Sequence, residues 1–517
     1  MNRTAFIKKL GGVESWDFII IGGGASGLGI AVDAASRGFS TLLLEQSDFA
    51  KGTSSRSTKL VHGGVRYLAQ ANIRLVYTAL HERGILFKNA PHLVRPRSFI
   101  IPCYNQFQKI KYLLGLKLYD WLAGRLSLGK SIFLNRKKII ERLPNVQTEN
   151  LIGGVQYFDG QFDDARLAIN LAQTAAERDA VVLNYFKVTS LIKTNDKVSG
   201  VEALDVLTNK SFSLKAKLVI NATGVFVDDI LKLDKPHQKT LVRPSQGVHL
   251  VIDPSFLKTE NAILIPETSD KRVLFIVPWH EHVLVGTTDT PIDKTSIEPV
   301  ALDEEINFIL ETAQQYLSKP PQRQDVLSVF AGLRPLAATG KTDNTKEISR
   351  DHKLLISDSN LITITGGKWT TYRKMAEEVV DTAIEFAQLQ KINCKTKDLK
   401  IHGYTNNAGN FSVYGSDEEK INELIQQNPQ LDKLLSDRFG YKEAHVVFAV
   451  RNEMAMTLED VLARRLRILF LDAKMAIELA PRIAGIMAKE FSWDVEWTKN
   501  QIDGFVQLAQ QYLINNK

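Results

Sequence analysis

The stretch Trp16–Glu45, WDFIIIGGGASGLGIAVDAASRGFSTLLLE, decides the fold of the chain. A strand of apolar residues runs into the glycine pattern Gly22-x-Gly24-x-x-Gly27, and a helix and a second apolar strand follow. The first glycine suits a tight turn, the second lets the backbone approach a ligand closely, and the third allows the helix to pack closely on the strand. A strand, a helix and a strand arranged around these glycines predict a doubly wound nucleotide-binding domain.

The two ends of this unit predict how a dinucleotide would lie on it. Its pyrophosphate would sit at the helix N-terminus, beside Gly24, Ala25 and Ser26. Glu45 ends the second strand roughly 20 residues after Gly22, where a carboxylate accepts hydrogen bonds from the adenosine ribose hydroxyls. A 2′-phosphate would be repelled there, so we do not expect NADP.

Length and composition limit the class of protein. At 517 residues the chain exceeds the usual size of one hydrophobic core, so two or three domains are expected. Its 44% hydrophobic and 24% charged residues are typical of a soluble globular protein. The sequence has no apolar run long enough to span a bilayer and no secretory signal at its N-terminus, which favours a cytoplasmic protein.

Cysteine usage argues against a disulfide framework and against a metal site. The two cysteines, Cys103 and Cys394, are far apart in the sequence and have no histidine clusters near them. We therefore predict two isolated thiols and no bound metal.

The net charge of +7 is concentrated in one segment, residues 105–138, which carries eight basic residues and one acid. Apolar residues recur there at helical spacing beside aromatic ones, a combination typical of a helix lying in a membrane surface. Two alternatives stay open: a helix that packs on its own domain with a solvated basic face, and a nucleic-acid patch, which the leucine and aromatic content disfavours. The residues of this pattern are Lys109, Lys111, Lys117, Arg125, Lys130, Arg136, Lys137 and Lys138, with apolar Ile110, Leu113, Leu114, Leu118, Trp121 and Leu122 and aromatic Tyr112 and Tyr119.

Alternation and periodicity predict the order of elements along the rest of the chain. A glycine- and hydroxyl-rich loop at 52–68 opens a helix over 73–89, and a helix at 164–178 precedes several strands. Short strands dominate residues 241–289, which predicts an antiparallel sheet on the substrate side. Beyond residue 391 helical periodicity is almost continuous, with one helix through residues 424–435 and one at 457–470 that begins with a capping box.

We therefore expect an α/β and α+β protein with a Rossmann-like, doubly wound domain, an inserted antiparallel β-sheet and a C-terminal all-α domain. The predicted oxidoreductase region is 1–390, with a discontinuous cofactor-binding part at about 15–100, 150–235 and 325–390, a substrate-side part at about 100–150 and 236–324, and a helical domain at 391–517.

Glycine-rich strand ends recur after the first unit, at Ala222-Thr223-Gly224 and before Lys368. A nicotinamide enzyme usually needs one nucleotide unit, whereas several strand ends that converge on one ligand suit a larger cofactor such as FAD. The turn Gly366-Gly367 opens a helix and would aim backbone N–H groups at the flavin pyrimidine, which stabilises the negative charge of reduced flavin. These turns are predicted to bind the cofactor.

Six motifs, in order, resemble the FAD-dependent, quinone-linked glycerol-3-phosphate dehydrogenase family. They are IGGGASGLGIAVDAASRG (21–38), GTSSRSTKLVHGGVRYL (52–68), NATGVFVD (221–228), FAGLRPL (330–336), ITGGKWTTYR (364–373) and EMAMTLEDVLARRLR (453–467). The first is shared by many flavoproteins, but SSRSTKLVHGG followed by RYL is far more particular. The resemblance covers nearly the whole chain and implies oxidation of sn-glycerol 3-phosphate to dihydroxyacetone phosphate, with hydride passing to flavin N5 and electrons to a membrane quinone.

The resemblance also implies site residues. A dianionic phosphate needs bidentate donors, so Arg66, Arg334 and Arg350 are expected to hold the substrate, with Tyr67 beside them. His249, in RPSQGVHL, is the first candidate for the base that takes the hydroxyl proton as hydride leaves. The predicted catalytic residues are His249, Arg334 and Lys368, and Lys368 is expected to polarise the hydroxyl or to hold the flavin. From the 52–68 loop, the residues expected at the pyrophosphate and flavin are Thr53, Ser54, Ser55, Ser57, Thr58, Lys59, His62, Gly63 and Gly64.

For partners, the resemblance implies that residues 105–138 rest on an anionic membrane surface, at the inner face of the cytoplasmic membrane, where a quinone accepts the electrons. No nucleic-acid partner is expected, and the sequence leaves open whether the chain forms a homodimer. Three rival functions stay open: a glycerophosphate oxidase that reduces O2, an amine or amino-acid oxidase on the same scaffold, and an RNA-associated flavoprotein that uses the basic segment.

Overall fold

The computed structural model describes residues 1–69, 72–268, 272–337, 352–405 and 413–514 of the chain. Two large β-sheets, a small two-stranded ladder and fifteen α-helices occupy these ranges. The strands are β1 (Trp16–Ile21), β2 (Thr41–Leu44), β3 (Leu60–Val61), β4 (Val94–Cys103), β5 (Ile132–Asn135), β6 (Gly153–Phe162), β7 (Val181–Leu183), β8 (Phe186–Thr194), β9 (Lys197–Asp205), β10 (Lys210–Asn221), β11 (Val242–Ile252), β12 (Ala262–Ile265), β13 (Leu274–Trp279), β14 (His282–Gly286), β15 (Thr290–Pro291), β16 (Val326–Ala337), β17 (His352–Ile356), β18 (Ile362–Gly366), β19 (Leu434–Ser436) and β20 (Phe439–Lys442). The helices are α1 (Arg3–Leu10), α2 (Ala25–Ser36), α3 (Val65–Ala69), α4 (Ile73–Asn89), α5 (Gln106–Ala123), α6 (Arg136–Arg142), α7 (Asp164–Ala176), α8 (Val227–Asp234), α9 (Asp303–Gln314), α10 (Tyr372–Phe386), α11 (Glu418–Gln427), α12 (Glu443–Glu453), α13 (Ile468–Leu471), α14 (Ala473–Phe491) and α15 (Val495–Ala509).

The first sheet forms the predicted doubly wound domain. Its order is β17-β18-β10-β1-β2-β7, parallel from β18 to β7, with β17 antiparallel at one edge. Strands β8 and β9 extend from β10 as an antiparallel ribbon. Every residue of β2 and β7 is buried, as expected of parallel strands that are covered on both faces.

The register of the first sheet brings its strand ends together. Ile21 pairs with Leu44 on one side and with Asn221 on the other, and Asn221 also pairs with Thr363. Because these strands are parallel and in register, the turns that follow them meet at the same edge of the sheet. The glycine-rich strand ends predicted from the sequence therefore converge on one crevice.

The second sheet confirms the predicted antiparallel insertion. Its order is β15-β11-β14-β13-β12-β4-β6-β3, with β16 paired to β11 and β5 paired to β6. Among the described strands of this sheet, every pair is antiparallel apart from β4 with β12. Its strands come from two separate segments of the chain, residues 60–162 and 242–337.

The C-terminal region is mainly helical, but two predicted helices are wrong in detail. The helix expected through residues 424–435 ends at Gln427, because Pro429 follows and a proline cannot continue the backbone hydrogen-bond ladder. Leu434–Ser436 then forms β19 instead. The helix expected at 457–470 is divided into a π-helical turn at Asp460–Arg465 and the short α13.

The capping box predicted for this segment is present. The Thr457 hydroxyl accepts a hydrogen bond from the Asp460 N–H at 3.3 Å, and the Asp460 carboxylate accepts one from the Thr457 N–H at 3.0 Å. The predicted capping box is therefore confirmed, whereas the regular helix predicted after it is wrong.

The C-terminal region shares its core with both sheets. Phe448 of α12 packs in the hydrophobic core of the first sheet. Leu462 lies in a core that includes Trp279 and Phe330 of the second sheet. We propose a domain boundary near residue 390, since no helix or strand is assigned in the described residues between α10 and residue 405. This boundary is crossed by extensive apolar packing.

Helix α5, within the basic segment, has two apolar faces rather than the single one expected. Leu116, Tyr119 and Leu122 are buried against the protein. The opposite face carries a line of exposed side chains, called here the apolar stripe: Phe107, Ile110, Leu114, Leu118 and Trp121. Phe107 and Trp121, at its two ends, are 74% and 76% exposed. Among the described residues, no helix has the length and hydrophobicity needed to cross a membrane.

Candidate active site

A cavity of about 710 Å³, called here the nucleotide cavity, lies at the edge of the first sheet where the glycine-rich turns meet. It extends from Glu45 at one end to Lys368 at the other. Thirteen of the predicted cofactor residues line it: Gly22, Gly24, Ala25, Ser26, Glu45, Thr53, Ser54, Ala222, Thr223, Gly224, Gly366, Gly367 and Lys368.

The glycines of the first turn are required by close backbone contacts. Gly22 has φ of 110°, which is unfavourable for any residue with a side chain. A Cβ atom on Gly27 would lie 1.9 Å from the Gly22 carbonyl oxygen, so α2 could not pack on β1 with any other residue there. Gly27 does not line the nucleotide cavity; it allows α2 to pack closely on β1.

Glu45 is tied to the glycine turn. Its carboxylate accepts hydrogen bonds from the N–H groups of Gly23 at 2.6 Å and Ser47 at 2.8 Å. Burial raises the pKa of Glu45, and these two N–H donors partly oppose that effect. The acid predicted to meet the ribose therefore also fixes the turn that approaches the pyrophosphate.

Hydrogen bonds join the loop after β2 to the start of α2 and to the short helical turn before α10. The Ser54 hydroxyl accepts a hydrogen bond from the Ala25 N–H, in the first turn of α2, at 2.9 Å. The Ser54 carbonyl accepts one from the Trp369 indole N–H at 2.8 Å. Residues 53–59 therefore form a wall of the site that is anchored from both sides.

A second cavity of about 700 Å³, the substrate cavity, adjoins the first, and the two share Thr53, Pro335, Gly366, Gly367, Lys368 and Trp369 in their walls. The structure brings most of the predicted substrate and catalytic residues together here. Of these, Tyr67, His249, Arg334 and Lys368 line it, together with Ser57, Thr58, His62 and Gly64, which are predicted to bind the cofactor.

His249 lies in β11 and reaches the substrate cavity with a neutral ring. Its Nε2 lies 2.9 Å from the Thr58 hydroxyl oxygen, and its ring stacks on Phe330 at 5.0 Å between centroids. Burial, with a smaller contribution from the nearby cations Lys59 and Arg334, lowers the pKa of His249 well below its usual value. An imidazole that is neutral at physiological pH can accept a proton.

Arg334 shares a face of the second sheet with His249. Ser245 pairs with Arg334 across β11 and β16, and side chains two and four residues along an antiparallel strand lie on the same face. Nη2 of Arg334 donates to the Thr287 hydroxyl at 3.1 Å, and Nη1 lies 3.3 Å from the Asp289 carboxylate. Gly247 lies between Ser245 and His249 in β11, and a Cβ atom added to it would collide with the Arg334 guanidinium.

Four predicted cofactor residues line neither cavity: Gly27, Gly63, Ser55 and Lys59. The Gly63 N–H donates to the Tyr119 hydroxyl at 2.7 Å. Lys59 is fully buried, and its ammonium turns away from the cavities toward Asp164, at 2.7 Å. Arg66 lies in α3, but its side chain is outside the described part of the structure, and Arg350 lies outside the described residues altogether.

Several lining residues were not singled out from the sequence. Val188 and Thr189 of β8 line the nucleotide cavity, and Phe275, Arg272 and Asp289 line the substrate cavity. Val188 and Thr189 lie in β8, which begins shortly after β7 at the edge of the first sheet. For the others, only the pairing of the second sheet brings them to the site.

The residues present fit FAD. The N-terminus of α2 faces the nucleotide cavity, and its cap is Gly24, where an added Cβ atom would meet the Ser54 hydroxyl at 3.1 Å. At the far end Gly366 and Gly367, with φ of 80° and 79°, open the turn before α10. A helix N-terminus at one end and a second glycine turn beside the substrate cavity suit a long dinucleotide with a reactive ring.

Comparisons with known proteins agree with this geometry. A family model described as FAD dependent oxidoreductase matches residues 17–380, and one described as C-terminal domain of alpha-glycerophosphate oxidase matches residues 362–498. The mitochondrial glycerol-3-phosphate dehydrogenase of Mus musculus is 40% identical over 531 residues, which cover 95% of this chain and 73% of that protein.

Solved structures support the same relationship. Glycerol-3-phosphate dehydrogenase from Bacillus halodurans, complexed with FAD, matches with a TM-score of 0.78 at 31% identity, over 100% of this chain and 98% of that chain. L-alpha-glycerophosphate oxidase from Mycoplasma pneumoniae, with FAD bound, shares the fold at a TM-score of 0.57 and 17% identity, over 74% of this chain and 97% of that chain. The chain belongs to the FAD-dependent glycerol-3-phosphate dehydrogenase family.

Proposed function

We propose that the protein oxidises sn-glycerol 3-phosphate at its secondary alcohol to dihydroxyacetone phosphate. The observation that carries this proposal is the placement of His249, Arg334 and Lys368 around one cavity that adjoins the dinucleotide crevice. The family relationship supports the substrate, since the related proteins from Mus musculus and Bacillus halodurans are glycerol-3-phosphate dehydrogenases.

FAD is the proposed cofactor, held by the glycine turns and the 53–59 loop along the nucleotide cavity. When bound, FAD supplies the hydride acceptor, N5 of its ring system. The turn at Gly366 and Gly367, followed by the start of α10, directs backbone dipoles toward the border of the two cavities. These dipoles stabilise negative charge at that border.

Charge in the substrate cavity favours an anionic substrate. Its basic lining residues are Arg56, Lys111, Arg272, Arg334 and Lys368, whereas its acidic ones are Glu267 and Asp289. Arg334 offers a planar fork suited to phosphate oxygens, and Arg66 and Arg350 stay predictions for the same task. A phosphate ester fits this excess of positive charge better than a neutral alcohol does.

His249 is the proposed proton acceptor. Its ring is neutral because burial lowers its pKa, and the Thr58 hydroxyl holds Nε2 in a defined orientation at the cavity wall. With the Nε2–H donated to the Thr58 hydroxyl, the lone pair of Nδ1 takes the proton of the substrate hydroxyl, while Lys368, at the border of the two cavities, stabilises the developing alkoxide. Oxidation of the carbon requires that the hydroxyl lose its proton and that the resulting alkoxide be stabilised at the same carbon.

We further propose that α5 rests on an anionic membrane surface, from which a quinone accepts the electrons. The apolar stripe is exposed, and Lys111, Lys117 and Arg125 beside it are exposed as well. Leu118 belongs both to the stripe and to the wall of the substrate cavity, so the cavity opens next to the proposed lipid-facing side. The corresponding location is the inner face of the cytoplasmic membrane.

The test is anaerobic bleaching of the flavin absorbance of the purified protein by sn-glycerol 3-phosphate. Glycerol and a D-amino acid serve as controls. Rapid bleaching by the phosphate ester alone is the expected result. A yellow protein that stays oxidised with sn-glycerol 3-phosphate contradicts the proposed substrate, and bleaching by the amino acid favours the amino-acid oxidase alternative.

A further inference from the structure

A buried ionic cluster lies behind the 53–59 loop, on the side opposite the cavities. Its centre is Asp164, which is fully buried at the start of α7. One carboxylate oxygen accepts hydrogen bonds from Ser57, through its N–H at 3.1 Å and its hydroxyl at 2.7 Å, and from the Lys59 ammonium at 2.7 Å. The other accepts one from Nη2 of Arg467 at 3.0 Å. The carboxylate therefore joins the loop to the C-terminal region.

Arg467 also contacts the loop directly. Its Nη2 donates to the Ser55 carbonyl at 3.1 Å, and the Lys59 ammonium donates to the same oxygen at 2.7 Å. Nη1 of Arg467 donates to the Ala463 carbonyl of its own segment at 3.0 Å. The guanidinium fork is bound to the C-terminal region by one nitrogen and to the loop and Asp164 by the other. A lysine has one nitrogen and cannot make both attachments in this geometry.

Both cations of this cluster have a strained backbone. Lys59 has φ of 63°, and Arg467 has φ of 65° directly after the π-helical turn at Asp460–Arg465. A residue with a side chain is seldom found in the left-handed region, and such strain and π-helical turns concentrate at functional positions. The backbone at both residues is thus held in a conformation that serves the side-chain contacts.

Of the two cations, Arg467 offers a planar guanidinium fork and Lys59 a single ammonium. Burial lowers the pKa of Lys59 to about 7, with Asp164 acting against this change and Arg467 adding to it. The Asp164 carboxylate therefore has one cationic partner in the 53–59 loop and one, Arg467, from the C-terminal region.

The geometry points to Arg467 as a positioning residue for the proposed oxidation: through Asp164 and the 53–59 loop it fixes Thr58, the hydrogen-bond partner of His249. Thr58 stands between Ser57 and Lys59, which both bind Asp164. In the described part of the chain, Nδ1 of His249 makes no hydrogen bond, so Thr58 provides the ring's only one. The inference rests on the proposed function, in which His249 accepts the proton, and it gives the C-terminal region a part in the chemistry.

The first test compares Arg467→Lys with a matched control, Arg465→Lys. Arg465 is equally buried in the same segment and donates to Asp48 at 2.7 and 3.0 Å, but it makes no hydrogen bond or ion pair with the 53–59 loop. We expect Arg467→Lys to lower the rate of anaerobic flavin reduction at saturating sn-glycerol 3-phosphate by about tenfold to a hundredfold, with the substrate concentration for half-maximal rate nearly unchanged. Arg465→Lys should keep the rate of the FAD-loaded protein within about twofold. Equal losses in the two variants would overturn the proposal.

A double-mutant comparison tests whether the effect passes through Thr58. Thr58→Val removes the hydroxyl that holds His249, and adding Arg467→Lys to it should lower the rate by less than about twofold more. If the two losses multiply instead, Arg467 acts by another route and the proposed relay is wrong.

A third readout does not depend on turnover. Amide hydrogen exchange of the peptide that contains residues 53–59 should be faster in Arg467→Lys than in the unaltered protein, and unchanged in Arg465→Lys. Absence of flavin bleaching in the unaltered protein would contradict the proposed function alone. Unchanged exchange of this peptide in Arg467→Lys would contradict the positioning role, whichever substrate the enzyme uses.

Discussion

The ammonium nitrogen of Lys368 lies 3.7 Å from the centre of the Tyr67 ring, so a positive charge rests on an aromatic face where the two cavities meet. A cation held over a ring in this way gains about 0.5–2 kcal/mol. The ring therefore helps to keep Lys368 at the position where the substrate hydroxyl and the flavin would meet.

Replacing the ring should cost activity, whereas removing its hydroxyl should not. We expect Tyr67→Leu to lower kcat/KM for sn-glycerol 3-phosphate by about tenfold, because the face that supports Lys368 is lost. Tyr67→Phe keeps the face and should stay within about threefold of the unaltered enzyme. Steady-state rates with a soluble dye as acceptor check this. A loss in Tyr67→Phe as large as that in Tyr67→Leu would show that the hydroxyl, not the ring, is what matters.

Glu45 should control how tightly FAD is held. Glu45→Ala leaves the N–H groups of Gly23 and Ser47 without their carboxylate, and a hydrogen bond to a charged group contributes about 1.5–3 kcal/mol. We expect the FAD dissociation constant to rise by about tenfold to a hundredfold. The fluorescence of released FAD measures this dissociation constant. Glu45→Gln is the isosteric control, and its dissociation constant should lie between those of the unaltered protein and Glu45→Ala. An unchanged dissociation constant in Glu45→Ala would contradict the prediction.

The apolar stripe should bind lipid. Phe107→Ser combined with Trp121→Ser removes its two most exposed ends and should weaken binding to phosphatidylglycerol vesicles by at least about tenfold. Neither residue lines the nucleotide cavity or the substrate cavity, so dye-linked activity should be unchanged. Val495→Ser is the control, since Val495 is 87% exposed but lies on α15.

The basic residues beside the apolar stripe should add a salt-dependent contribution to vesicle binding. Replacing Lys117 and Arg125 by glutamine should weaken vesicle binding at low salt by about fivefold for each charge, and by less at high salt. Binding of the stripe variant that equals that of the unaltered protein would refute a lipid-facing role for α5.

Stability should fall on the alkaline side through His402. This ring bridges Glu177, at 2.5 Å from Nδ1, and Asp417, at 2.7 Å from Nε2. Burial alone would lower its pKa, but the two carboxylates outweigh burial and raise the pKa of His402 to about 9. Its ordinary value is near 6.5. The stabilisation is therefore complete below about pH 6.5 and is lost as the pH rises through about 9.

We expect the apparent melting temperature to decrease between pH 7 and pH 10 and the decrease to be smaller in His402→Gln. The lost stabilisation amounts to about 2 kcal/mol after allowance for the partly exposed Glu177. Lys420 and the Met1 amino group also face this pair, so Lys420→Gln serves as the control that removes a neighbouring charge and keeps His402. Parallel pH profiles for the unaltered protein and His402→Gln would show that His402 makes no such contribution.

Local patterns predicted the parts of the fold that local forces decide. The glycine turn after β1 and helix α4 lie where the sequence placed them, since each depends on signals within a few residues. The helix predicted through 424–435 is wrong because the apolar spacing continues past Pro429, and a proline in the interior of an α-helix removes a backbone hydrogen bond.

The site shows the same division. Lys59 is predicted at the cofactor because it belongs to the 52–68 loop motif, yet its side chain is buried against Asp164. That choice depends on a carboxylate about 100 residues away and on Arg467 more than 400 residues away, as their sequence numbers show. A loop motif tells which residues lie near a ligand, but the direction of each side chain is fixed by partners from distant segments.

The packing of the C-terminal region has a consequence for how the protein is made. Arg166 pairs with Glu453, and Asp164 pairs with Arg467. Two buried charges from the first third of the chain are therefore neutralised by residues near its end. A ribosome must translate the codons for these late residues before the earlier charges can be neutralised. The wall of the site formed by residues 53–59 is therefore completed late in translation, and in a chain stalled before residue 453 this wall is still unsupported.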